Sequence, residues 1–206
     1  GKPATNISST SYASFVATVN ALNSGAGRKP AVFVGANDGM LHAFNANTGA
    51  ELFGFIPSWL GPKLSALSDP TFSTSHQLYV DAPIAVGEAQ VASTNAATDW
   101  KTVLVAGTGG GGSGVFALDV TDPTAFDASK VMWEFKRTDD ADIGQVIGQP
   151  RIMKFKISGS GSTPSYRWFA VVASGVNNYV IDAARHHCKP AVGRCGAVVA
   201  SGVDYI

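Results

Sequence analysis

Residues 31–57 read AVFVGANDGMLHAFNANTGAELFGFIP. Two apolar, β-rich runs, Ala31 to Val34 and Met40 to Phe44, flank Asn37-Asp38-Gly39, a tripeptide whose residues supply the positive backbone angles of a tight hairpin turn. Asn47-Thr48-Gly49 separates the second run from a third, Glu51 to Ile56. Pro57 ends that one, because proline has no amide hydrogen to give a ladder. The stretch predicts a meander of at least three antiparallel strands. His42 alternates with apolar residues on the middle strand, Asn45 follows it, Gly49 closes the second turn and Phe53 comes four residues later.

The same grammar returns twice. Thr102 to Ala106 leads through the glycine-rich residues 107–114 to Val115–Val120, then through Thr121-Asp122-Pro123 to Val131–Phe135. Asp119 stands where the first copy has Asn45, and Trp133 where it has Phe53. A third copy runs from Trp168–Ala173 through Asn177-Asn178 to Tyr179–Ala183, with Asp182 as its polar residue. With Val32, Val103 and Val171 taken as equivalent, the copies recur at 71 and 68 residues. Such a repeat predicts an all-β chain that is part of a β-propeller, with about three consecutive antiparallel blades in residues 30–206. The period exceeds that of commoner propellers, and its extra length sits in the connections 58–81 and 137–150. Alternation predicts a core of Val32, Val34, Leu41, Val103, Val105, Phe116, Leu118, Val171 and Ile181, with Phe53 and Trp133 buried at equivalent blade positions.

Composition fits. The chain has 206 residues, 45% hydrophobic, and its 23 Gly and 10 Pro suit a turn-rich β protein. Fifteen basic residues balance fifteen acidic ones, so no bulk field calls for nucleic acid or an anionic membrane surface. No apolar run reaches the roughly 18–20 residues of a membrane span, and the start lacks a hydrophobic signal core. Residues 1–29 read as a leader segment rich in Ser, Thr and Asn. Within it Phe15, Val16, Val19 and Leu22 recur at helical spacing, predicting a short helix that ends near 23–27. Residues 156–165, KISGSGSTPS, read as a hairpin loop or short linker. Asn6-Ile7-Ser8 matches the glycosylation acceptor pattern, a tripeptide common enough to arise by accident.

In order, Val34–Phe44, Thr48–Phe53, His76–Asp81, Trp100–Gly107, Gly114–Pro123, Trp133–Phe135 and Asp142–Pro150 resemble the opening part of the C-terminal β-propeller of the PilY family of type IV pilus biogenesis proteins. The resemblance covers about residues 30–182, and the order of motifs is more specific than any one of them. It implies a secreted, non-enzymatic protein that reaches the pilus tip and cell surface through the periplasm. The implied partners are minor pilins, and the implied roles are pilus assembly, control of retraction, twitching motility and adhesion to host or abiotic surfaces. It also implies further blades, and it associates the family with a calcium loop of EF-hand type. No D-x-[DN]-x-D-G pattern occurs in this chain, so a calcium site is expected only elsewhere in the parent protein.

No cofactor, metal or catalytic site is expected in this segment. Gly107–Gly112 satisfies G-x-G-x-x-G, but a β-rich run follows it rather than a helix whose dipole would hold a pyrophosphate. Asp139, Asp140 and Asp142 gather carboxylates, yet numbering from Asp140 puts Gly144 and Arg151 where an EF-hand needs ligands, so the segment reads as a solvated loop. His186, His187, Cys188 and Cys195 are four potential zinc ligands at a spacing unlike structural zinc motifs. A Cys188–Cys195 disulfide, natural in an oxidising compartment, is the favoured reading, with a zinc site and free thiols as alternatives. A quinoprotein-type, PQQ-dependent dehydrogenase is the alternative function, since Ala43–Phe53 resembles the docking motif of those propellers. Asn45 and Phe53 depart from its Asp and Trp, and no cofactor-stacking Trp, calcium ligands or catalytic Asp can be placed.

Overall fold

A computed structural model of the chain describes residues 10–92, 94, 96–158, 165–175 and 197–201. The strands of the described residues form three antiparallel sheets. The first holds β1 (Ala31–Gly35), β2 (Leu41–Asn45) and β3 (Glu51–Phe55) in that order. The second is the four-stranded meander β4 (Ile84–Gln90), β5 (Trp100–Gly107), β6 (Gly114–Asp119) and β7 (Val131–Lys136). The third joins β8 (Arg151–Ser158), β9 (Ser165–Ala173) and β10 (Ala197–Ser201). The strands of the first meander match the sequence reading to within a residue. Its turns are made by Gly39 and Gly49 at φ +99° and +73°, whereas Asn37 and Asp38 keep negative φ. Those two act through their side chains, a correction to their expected role as positive-φ residues.

The repeat is visible in the register. In the first sheet Ala43 faces Phe53 and a bulge follows before Phe44; in the second Ala117 faces Trp133 and a bulge follows before Leu118. Phe53 and Trp133 are therefore equivalent, as are Asn45 and Asp119. The same register pairs Ala31 with Asn45 and Val103 with Asp119. Ala31, not Val32, is thus the counterpart of Val103, and the expected alignment was one residue out. On a strand that slip exchanges the two faces.

Faces decide the core. The second sheet lies between the others, so both its faces are covered. Leu104, Ala106, Phe116 and Leu118 join Leu41, Ala43, Phe53 and Phe55 in a cluster against the first sheet. Val103, Val105, Val115 and Ala117 join Ala170 and Val172 against the third. Leu104, Phe116 and Leu118 are wholly buried, which stabilises by about 2 kcal/mol per side chain. Val32 and Val34, the counterparts of Leu104 and Ala106, turn to the face away from the second sheet, where no described sheet packs. They are 53% and 44% exposed, contrary to the expected core. Trp133 is also only half-buried. Phe53 is covered by Phe126 from the loop after β6, stacked at 3.7 Å between centroids. The counterpart of that loop would follow β10, outside the described residues. Val171 is half-buried, while Ile181, Asp182 and the expected strand 179–183 lie outside the described residues, where β10 is the described neighbour of β9.

Helix α1 (Thr10–Gly25) fulfils the helical spacing of the leader, and it breaks at Leu22–Ser24, where Asn23 and Ser24 take φ of 52° and 58°. It docks on the second sheet. Phe15 is buried, Tyr12 packs on Trp100 at 4.8 Å, and the Trp100 indole N–H donates to Ser11 Oγ at 3.1 Å. The connection after β3 is a 3-10 helix over Ser58–Ser68, pinned to β7 where Ser58 donates to both oxygens of Glu134. No described helix is long and apolar enough to cross a membrane.

Candidate functional site

The residues singled out by the repeat lie at the strand ends and are engaged with one another. Asn37 Oδ1 accepts the backbone N–H of Tyr79 at 3.1 Å, tying the first turn to the chain that enters the second sheet. Asp38 Oδ1 accepts the N–H of Met40 at 3.0 Å, and Asp38 Oδ2 lies 2.8 Å from His42 Nε2. The other imidazole nitrogen, Nδ1, is 2.6 Å from Glu51 Oε1. The hydrogen bond to Glu51 raises the His42 pKa above its ordinary value, with Asp38 adding to the effect against partial burial. The imidazole bridges two carboxylates on opposite sides, which holds the hairpin and β3 together but does not converge on a metal. Among the described residues no three His, Cys, Asp or Glu side chains are placed to hold a metal ion.

Asn45 and Asp119 do the same work in their two sheets. Asn45 Oδ1 accepts the N–H of Asn47 at 2.9 Å, and Asp119 Oδ1 accepts the N–H of Thr121 at 3.0 Å. Asp119 also pairs with Lys101 at 3.0 Å. Both close a turn two residues on, the habit of Asx side chains.

The glycine loop is packed shut. Residues Gly109–Gly111 form a single 3-10 turn. Lys63 Nζ donates to Gly111 O at 2.6 Å, Gln145 Nε2 to Gly110 O at 3.3 Å, and Thr108 Oγ1 to Gly112 O at 2.9 Å. Burial lowers the pKa of Lys63, which also lies 5.3 Å over the Tyr79 ring. A β-carbon on Gly111 would stand 1.7 Å from Tyr79 O. The glycines therefore admit a crossing backbone rather than a phosphate, and strand β6 follows them. In the acidic loop Asp139 Oδ2 accepts the N–H of Lys136 at 2.9 Å and Asp140 Oδ1 that of Asp142 at 2.9 Å, so two of these carboxylates cap their own turn.

Sequence reasoning missed two features. One is the crossing of the entering chain over each preceding sheet: Gly35 meets Val80 O and Gly107 meets Val146 O, at 2.5 and 2.7 Å from where a β-carbon would be. The recurrence of Val-Gly or Ala-Gly at the ends of β1 and β5 was the available signal. The other is the network Tyr12–Glu88–Arg28. Tyr12 donates to Glu88 at 2.6 Å, Arg28 lies 3.9 Å from Glu88, and Arg28 donates to Thr102 Oγ1 at 2.5 Å. Residues 76 and 74 apart in sequence give no local signal of meeting. Cys188, Cys195, His186, His187 and the Asn6 tripeptide lie outside the described residues.

Comparison with known proteins places this architecture. The family model of the PilY1 beta-propeller domain matches residues 4–187. A type IV pilus biogenesis factor PilY1 homolog of Xylella fastidiosa is 39% identical over 147 residues, 71% of this chain and 9% of that protein. The type IV pilus biogenesis factor PilY1 of Pseudomonas aeruginosa (strain UCBPP-PA14) is 38% identical over 149 residues, 72% of this chain and 12% of that protein. The chain thus spans about a tenth of the length of these curated relatives. The crystal structure of the Pseudomonas aeruginosa PilY1 C-terminal domain is similar at 34% identity and a TM-score of 0.49, covering 72% of this chain and 25% of that one.

Proposed function

The chain belongs to the PilY1 β-propeller domain family, and on that footing we propose that it is the opening part of the propeller of a type IV pilus biogenesis factor. Its role is that of a non-enzymatic scaffold. It works with minor pilins at the pilus tip and cell surface, supports assembly against retraction, and through the pilus serves twitching motility and attachment to host or abiotic surfaces. The observation that carries this reading is the family match over residues 4–187, joined to relatives that are named as pilus biogenesis factors.

The geometry supports a scaffold. The polar side chains of the blade motif, Asn37, Asp38, His42, Asn45 and Asp119, are committed to holding turns and sheet ends. A group that must move a proton or attack a substrate needs an open partner position, which this use of the side chains does not provide. Rigid strands carrying long connections suit the display of loops to partner proteins.

In-frame removal of the propeller-coding segment tests the reading. Surface pili, counted by electron microscopy, and the twitching zone are both expected to fall and to return on complementation. Undiminished piliation and motility would refute the pilus role. Dye reduction that depends on added pyrroloquinoline quinone and calcium would refute the non-enzymatic one.

A further inference from the structure

The place where α1 docks on the second sheet recurs on the third with its charge reversed. The two sheets align through their entering chains, since Val80 crosses Gly35 just ahead of β4 and Val146 crosses Gly107 just ahead of β8. Lys154 follows Val146 by eight residues, as Glu88 follows Val80. The registers then set Trp168 at the place of Thr102, Lys156 at that of Gln90 and Tyr166 at that of Trp100. In the second sheet these positions form a filled seat. Tyr12 donates to Glu88 and packs on Trp100, Ser11 accepts the Trp100 N–H, and Arg28 reaches Glu88 and Thr102.

The seat on the third sheet is open. Tyr166 is 48% exposed, against 1% for Trp100. Lys154 Nζ lies 4.5 Å over the Tyr166 ring, and Lys156 is exposed on the same face. Among the described residues neither lysine makes an ion pair, and the Trp168 indole N–H, shielded from solvent, has no acceptor. The sequence supplies none nearby. No Asp or Glu occurs between Asp142 and Asp182, a stretch that carries Arg151, Lys154, Lys156 and Arg167. The first seat offers an acceptor, Glu88, to the donors Tyr12 and Arg28; the second offers donors and calls for acceptors.

We propose that this second seat receives an acidic segment of a separate polypeptide, its carboxylates paired with Lys154 and Lys156 and an apolar side chain laid on Tyr166. Two like charges two residues apart on one face of a strand repel, and a carboxylate between them removes that cost. The surface is also continuous with an interface already in use, because Trp168 meets Trp100, on which Tyr12 packs, at 6.0 Å between centroids. A separate polypeptide is favoured because the chain makes its crossings elsewhere. β3 and β7 end, and β4 and β8 begin, at the end of the sheets marked by Gly35 and Gly107. β9 ends and β10 begins there too, with Ala173 opposite Ala197, whereas Tyr166 lies at the other end. Residues 1–9, which precede α1, contain one Lys and no carboxylate side chain. The proposal stands independently of the pilus role.

The test uses the intact parent polypeptide in its own cells. Irradiating p-benzoylphenylalanine placed at position 166 should give a cross-linked peptide, identified by mass spectrometry, that belongs to another protein and has Asp or Glu beside the linked residue. Lys154→Glu with Lys156→Glu should lower the yield roughly tenfold or more, since like charges would then face each other. Changing the captured carboxylate to Lys should restore it in that double variant. Arg151→Glu, on the opposite face of β8, should leave the yield unchanged. A cross-link only within the same polypeptide, to lipid or to a peptide without carboxylates overturns the proposal. No cross-link at all, or a yield indifferent to the two lysines, overturns it equally.

Discussion

Replacing Gly111 by Ala probes how the glycine loop holds two sheets in place. The added carbon would stand 1.7 Å from Tyr79 O, 2.4 Å from Tyr79 C and 2.6 Å from Tyr79 Cα. Ordinary contact needs about 3.4 Å or more, so one backbone must move by roughly 1.5 Å. Neither is free to do so. Tyr79 is wholly buried, its N–H is held by Asn37 and its hydroxyl donates to Lys63 O at 2.9 Å; Gly111 O in turn accepts from Lys63. Forced overpacking of this kind costs about 3 kcal/mol, at the upper end of the usual range because backbone rather than a side-chain tip must give way. The alanine recovers about 0.4–1 kcal/mol by restricting the unfolded chain, leaving a net loss of about 2 kcal/mol.

Urea unfolding followed by tryptophan fluorescence reads this directly, since Trp59 packs against Gly112 and Gly114 beside the loop. With a slope of about 2 kcal/mol per molar, the midpoint should fall by about 1 M. Gly61→Ala is the control. Gly61 has no atom within 4 Å of the added carbon and no positive φ, so that variant should be neutral or slightly stabilised. A Gly111→Ala protein as stable as Gly61→Ala would refute the claim that close backbone approach is what demands glycine here.

Three further outcomes are expected. Phe53→Ala should destabilise by about 3 kcal/mol through loss of the stack on Phe126, and Trp133→Ala by less, because Trp133 is half-buried; equal losses in denaturant midpoints would contradict the assigned faces. His42 has a raised pKa, so its contribution to stability is full below about 6.5 and fades as pH rises through the folded value; in His42→Gln that fall with pH should vanish from melting curves taken across this range. Tyr12, pushed up to about 12 chiefly by burial and then by Glu88, contributes stability that is full below about 10 and lost as pH climbs toward 12. Ultraviolet titration should show a late-ionising tyrosine phase that Tyr12→Phe removes.

The sequence carried the meander, the turns and the repeat because these rest on local chemistry: glycine at a positive φ, an Asx side chain closing a turn, apolar residues every second position. The chain alone could not fix which valine of β1 corresponds to Val103. Both Ala31 and Val32 suit a strand, and the choice depends on the register across two hairpins of unequal length: Ala31 pairs with Asn45, 14 residues on, whereas Val103 pairs with Asp119, 16 residues on. That one residue decided whether Val32 and Val34 were read as core or as surface. Trp133 was misplaced for a related reason. Its position in the blade was legible, but its burial depends on what a following sheet lays over it, as Phe126 does over Phe53.

The exposed faces have the same origin at both ends of the array. Val32 and Val34 are open before the first sheet, and Met153, Phe155 and Ile157 on β8 are 44%, 41% and 43% exposed beyond the third. Their partners across each sheet, such as Phe33 and Ile152, are packed into the two clusters. Each sheet is thus written as a two-sided slab, apolar on both faces, and among the described residues only the middle one meets a neighbour on each side. A slab of this kind gains its stability from stacking rather than from its own hydrogen bonds. Apolar rows at both outer faces, together with an edge of β1 that has no partner strand among the described residues, are surfaces on which further sheets could stack.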